Sequence, residues 1–174
     1  MPRTTFQRMI FALLTVIITV HAYVFFSLYV VNGLDITQIT QMGGVPMFGT
    51  NLPIWAVVII EFVCAFTLEM LMGSPCSFRL ASRVFDPRST HPVLFETAII
   101  CTTVALMCPA MSLLAAFMYY PYPYMPFDMW RLLANWLKLV CFNFPFAFFT
   151  QLFFIQPLVR KLFKLLFRKD IAQR

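Results

Sequence analysis

The residues of this sequence best able to do chemistry are few: Glu61, Glu69, His21, Asn143 and Gln151, each set inside a long apolar stretch. An ionised carboxylate in hydrocarbon is costly, so a carboxyl there must face other helices or water, and its neutral, proton-bearing form is favoured. Taking the second apolar run as residues 52–72 puts Glu61 at its middle. Glu69 then lies about 12 Å further along and about 80° around the helix, so one face can carry both acids. Two readings follow for Glu61. It is a protonatable gate or substrate-binding carboxylate, or it is a neutral group hydrogen-bonding across the bundle as the Asn143 amide would. Glu69 reaches toward the membrane surface.

His21 lies near the middle of the first apolar run, at a depth matching that of Glu61. If the two faces meet, a His–Glu pair makes a proton relay or a cation site. If they do not, the imidazole shares a hydrogen bond with a backbone carbonyl. Lys138 is read as snorkelling toward the headgroups rather than pairing with Glu61. Pro109 and Pro145, inside the third and fourth runs, are read as static kinks. Glu96 is read as a helix-start carboxylate that partners nearby arginines.

Other chemistries find little support. The five cysteines form no CxxC or Cys/His spacing and read as small buried hydrophobes. Met42, Met47, Met125 and Met129 fall in two loops without a tight cluster, so packing is favoured over a copper site. No nucleophile–base pair, metal motif or phosphate loop appears, and neither an enzyme nor a bound cofactor is expected.

The elements that carry these residues are dictated by composition. Of 174 residues, 61% are apolar and 11% charged, a balance for which lipid is the fitting solvent. Four apolar runs, about residues 9–31, 52–72, 92–119 and 132–158, are each long enough to cross the hydrocarbon layer. Eleven of the 13 Lys and Arg residues precede the first run, separate the second from the third, or follow the fourth. That bias predicts cytoplasmic termini and a cytoplasmic middle loop. Tyr119, Tyr120, Tyr122, Tyr124 and Trp130 cluster at the opposite surface, where a headgroup belt is expected. Residues 158–168 continue the fourth helix with basic and apolar side chains mixed and should lie against anionic lipid. The net charge of +6 therefore reports membrane orientation, not a nucleic-acid partner.

The two halves align as copies. An offset of 82 sets Pro75 on Pro157, Phe62 on Phe144, Ala65 on Ala147, Glu61 on Asn143 and Glu69 on Gln151. An offset of 88 sets Thr15 on Thr103 and Ala22 on Ala110. The expected fold is all-α: four transmembrane helices as two parallel-repeated hairpins, residues 1–85 and 86–168, with a cytoplasmic tail at 169–174. Each unit crosses twice, so both copies run in the same direction, unlike the inverted repeats of many transporters.

The opening TTFQRMIFALLTVIITV, then VFDPR, LMCPAMS and the closing NFPFAFFTQLFFIQPLVRKLF resemble the bacterial domain-of-unknown-function family 2798, in a tandem two-copy form. The resemblance covers nearly the whole chain, NFPFA followed by PLVR being its most specific part. It implies a four-helix protein of the bacterial cytoplasmic membrane and supplies no activity. Two functions are carried forward from the residues. One is a small proton-coupled transporter or efflux protein for lipophilic or cationic compounds, working as a homodimer because four helices enclose little space. The other is a non-catalytic membrane subunit whose buried polar residues specify helix packing.

Overall fold

Backbone polar groups within an apolar run have only each other as partners in lipid, so each run closes its hydrogen bonds as a helix. The computed structural model describes residues 5–31, 33–122 and 125–167. Helix α1 (Thr5–Phe26) continues through a π-helical turn, Ser27–Val31. A short helix α2 (Ile36–Gln41) and a hairpin of strands β1 (Val45–Met47) and β2 (Thr50–Leu52) lead into α3 (Ile54–Leu68). A second π turn, Glu69–Gly73, joins α3 to α4 (Ser74–Val84). Helix α5 (Pro92–Met118) is followed by α6 (Met129–Thr150), a third π turn at Gln151–Ile155, and α7 (Gln156–Leu166). Four helices, Thr5–Val31, Ile54–Val84, Pro92–Met118 and Met129–Leu166, are long and apolar enough to cross a membrane. The expected tail 169–174, together with Arg3, Asn32, Tyr124 and Arg168, lies outside the described residues.

The second helix runs well beyond the apolar stretch 52–72. Arg79 and Arg83, expected in a loop, stand exposed on α4, while Ser77 and Ala81 on its other face are buried. That face packs against α5, where the Thr102 hydroxyl donates to the Ser77 carbonyl at 3.1 Å. A half-apolar helix with a neighbour to bury it continues where apolar composition alone stops.

Pro75 and Pro157 account for two of the three π turns. A proline has no N–H to donate and its ring crowds the carbonyl four residues back. In each case a π turn ends two residues earlier, closed by Ser74 N–H to the Glu69 carbonyl and by Gln156 N–H to the Gln151 carbonyl. The wider ladder absorbs the missing bond without breaking the rod.

The four rods form a ring: α1 packs on α3, α4 on α5, α5 along α6, and α7 back on α1. The first rod buries Val16, Val20, Val24 and Leu28; 88 residues later the third buries Val104, Cys108, Ser112 and Ala116. The second buries Val57, Ala65, Gly73, Ser77 and Ala81; 82 residues later the fourth buries Leu139, Ala147, Ile155, Val159 and Phe163. Glu96 at the start of α5 meets Arg160 of α7 at 2.7 Å, an arginine distant in sequence rather than one of the nearby arginines expected for it.

The loop between the first two rods is a packed wedge, neither an open lid nor a slack tether. Asp35 caps α2 in a reciprocal box with Gln38. Val45 and Met47 are buried against Val24, Leu28, Ile39, Val57 and Met118. The hairpin turns on Phe48 and Gly49, both at positive φ (52° and 76°), the geometry a two-residue turn needs. Phe48 N–H donates to the Met118 carbonyl at 2.7 Å, pinning the turn to the last residue of α5. At Gly44, φ is +139° and a Cβ would strike the Leu52 carbonyl, whereas at Gly33 (φ +64°) nothing lies within 4 Å. Gly33→Ala should therefore cost only the backbone penalty of about 1 kcal/mol. Gly44→Ala should lower the melting temperature of the detergent-solubilised protein clearly further. Equal shifts for the two would contradict the packed hairpin.

Candidate functional site

Glu61 lies seven residues into α3, about 10 Å from the hairpin end of that rod, and Glu69 about 22 Å from it. Because the rod extends to Val84, Glu61 sits nearer the hairpin end of the rod than its far end. The residue that meets it is Tyr119, which follows the last turn of α5: its hydroxyl donates to Glu61 Oε1 at 2.6 Å, at the short end for an O–H···O bond. Both side chains are partly buried, so this bond closes the seam between the second and third rods.

Glu69 faces the same seam. It accepts from Ser74 Oγ at 2.7 Å across the π turn that it opens. A Cβ at Gly73 would strike its other carboxylate oxygen and would lie 3.1 Å from Met107 Sδ of α5. Gly73 is thus the space into which the Glu69 carboxylate fits.

The amides that occupy the matching places in the second half tie different seams. Asn143 is buried and donates to Ser112 Oγ at a long 3.4 Å, joining α6 to α5, while its Oδ1 has no partner among the described residues. Gln151 donates to Thr19 Oγ1 at 2.8 Å, joining the fourth rod to the first, and accepts from Gln156 at 3.5 Å. His21 stands on the outer face of α1 with Nδ1 2.8 Å from the Ile17 carbonyl. The structure does not bring it to Glu61. Lys138 is likewise exposed on α6 and takes no part in the Glu61 bond. The five residues singled out in the sequence thus fall on three seams and one outer face.

One pocket of about 250 Å³ opens at the hairpin end, lined by Ser27, Ala115, Tyr119, Tyr120, Pro121, Arg131, Asn135 and Leu139. Tyr119 is at once its wall and the donor to Glu61. Tyr120 folds the following loop beneath α6, donating to the Pro126 carbonyl at 3.0 Å and accepting from Asp128 N–H at 2.8 Å. Trp136 Nε1 donates to the Pro109 carbonyl at 2.9 Å, so the third rod is braced by the fourth at its internal proline. The first and fourth rods also meet through aromatic rings: Phe26 stacks on Phe146 at 3.9 Å and Tyr23 meets the same ring edge-on at 5.5 Å. Among the described residues no three His, Cys, Asp or Glu side chains gather closely enough to hold a metal ion.

Sequence reasoning assigned Tyr119 to the headgroup belt and missed its role at Glu61, since the two are 58 residues apart with no local pattern linking them. It also passed over Asn135, although Arg131 and Asn135 stand one helical turn apart, a spacing that puts both on one face. The interhelical bonds themselves are testable. With Gln151→Leu, Thr19→Val and the double variant, melting in detergent should give a coupling of about 0.6 kcal/mol. Strictly additive losses would contradict the Gln151–Thr19 bond.

A family model described as Domain of unknown function (DUF2798) matches residues 89–167, the third rod through the fourth, which supports membership of that family. Asn143, Gln151, Tyr119, Arg131 and Asn135 fall inside the match; Glu61, Glu69 and His21 fall outside it. No curated protein and no solved structure matches the chain.

Proposed function

We propose that this protein is a small proton-coupled transporter or efflux protein for lipophilic and cationic compounds, with Glu61 as its proton-bearing group and Tyr119 as its latch. The observation that carries this reading is the 2.6 Å bond from Tyr119, a wall of the open pocket, to the carboxyl of Glu61. Breaking that one bond would free the pocket wall beside a carboxyl that is partly buried between two rods. A carboxylate at such depth needs positive charge beside it, which a proton or a cationic compound supplies equally. Exchange of one for the other couples their movements.

The frame we propose is a tandem of two parallel helical pairs, residues 1–85 and 86–168, in the bacterial cytoplasmic membrane with both termini inside. Support for the tandem comes from the matched π turns at Glu69–Gly73 and Gln151–Ile155 and from the matched buried positions of the rods. Support for the orientation is the gathering of Lys and Arg at the terminal end. The tail lies against anionic lipid, and two copies associate because one bundle encloses little space.

A second reading, a non-catalytic subunit whose polar residues specify packing, is favoured by Asn143–Ser112, Gln151–Thr19 and the Phe26–Phe146 stack, each of which closes a seam. Glu61→Gln separates the two. The glutamine carbonyl still accepts from Tyr119, so packing is kept, while the proton-bearing group is lost. In a growth assay with cationic dyes and biocides, transport predicts resistance for wild type and none for Glu61→Gln at equal membrane levels. Equal growth of wild type, Glu61→Gln and empty vector would remove the transport reading and leave the subunit reading in place.

A further inference from the structure

We propose that the hairpin-end pocket binds the oxyanion headgroup, phosphate or carboxylate, of an amphiphile, held by Arg131 and Asn135. This site stands on its own geometry, whether or not Glu61 moves protons. Arg131 and Asn135 line the pocket one turn apart on α6, and Ser27 lines it from the first rod. Its remaining walls include Ala115 and Leu139, apolar side chains that suit the body of an amphiphile rather than a bare ion.

Charge makes the case for an anion. Among the described residues no carboxylate pairs with Arg131; its guanidinium meets the sulfur of Met125. Asp128, three residues before it, has its carboxylate turned to the start of its own helix, accepting from Trp130 N–H at 2.9 Å. A guanidinium presents a planar fork of donors that matches the paired oxygens of phosphate or carboxylate, and an amide N–H beside it adds a further donor. The pocket also lies at the end of the bundle where Tyr and Trp side chains gather, the level at which lipid headgroups sit. A bound anion there neutralises Arg131, which would otherwise repel a cation approaching Tyr119.

The test is a titration of the full-length protein in a neutral detergent, followed by tryptophan fluorescence, since Trp130 and Trp136 stand on the helix that carries Arg131. The probes are dihexanoyl phosphatidylglycerol, the neutral dihexanoylglycerol, and inorganic phosphate. The expected result is saturable binding of the phospholipid and none of the neutral diacylglycerol. Arg131→Gln should weaken that binding about tenfold or more, because a charge-assisted bidentate bond is lost. Asn135→Leu, which leaves the charge in place, should weaken it less. Inorganic phosphate binding as tightly as the lipid, with the same dependence on Arg131, would assign the site to a soluble oxyanion; much weaker phosphate binding assigns it to lipid. The proposal is overturned if neither anion binds, if the neutral diacylglycerol binds equally well, or if neither variant changes the affinity.

Discussion

A polar side chain packed between apolar helices has little water to fall back on, and this bundle is organised around that shortage. The hydrogen bond from Tyr119 to Glu61 is its clearest expression. It joins the end of α5 to α3 close to the point where Phe48 N–H bonds the Met118 carbonyl, so hairpin, second rod and third rod are locked at one place. The pocket takes part of its wall from the same tyrosine. Other seams follow the same rule with other groups: Thr102 on the Ser77 carbonyl, Gln151 on Thr19, and Trp136 on the Pro109 carbonyl. Asn143 satisfies it only in part, with a long bond on one side and an unpartnered oxygen on the other.

The halves differ in how they spend their polarity, and the difference falls where the backbone is most alike. Glu69 and Gln151 each open a π turn ahead of a proline, yet Gln151 reaches across to Thr19 while Glu69 turns back to Ser74 of its own rod. The residue 88 positions after Thr19 is Met107, which has no hydroxyl to offer. An amide with a hydroxyl opposite becomes a tie; an acid with a thioether opposite folds back over a glycine. Glu61 and Asn143 diverge in the same way: the acid draws on a tyrosine at the pocket, and the amide is buried between rods.

Much of this frame was legible in the sequence, and the reasons for the misses are physical. Apolar runs announce spans because lipid leaves no alternative, so all four were readable. The length of the second was not, because α4 is held by one buried face, which a window of average hydropathy counts as loop. The hairpin was hidden too: Phe48-Gly49 is not one of the common turn pairs, and Phe48 holds its positive φ through a bond to a residue far away in sequence. Side-chain partners were the least legible. Depth alone suggested His21 for Glu61, but depth does not set rotation, and the tightly packed face of α1 carries Val16, Val20 and Val24 instead.

The central claim, that Glu61 latched by Tyr119 is the moving part, is tested most directly by proton flux. Wild type, Glu61→Gln and Tyr119→Phe would be reconstituted in proteoliposomes holding a pH-sensitive dye and challenged with a lipophilic cation. The account predicts cation-driven proton movement in wild type, none in Glu61→Gln, and flux without cation in Tyr119→Phe, where the latch is gone and the acid remains. Identical traces from all three, with their melting temperatures matched, would contradict it.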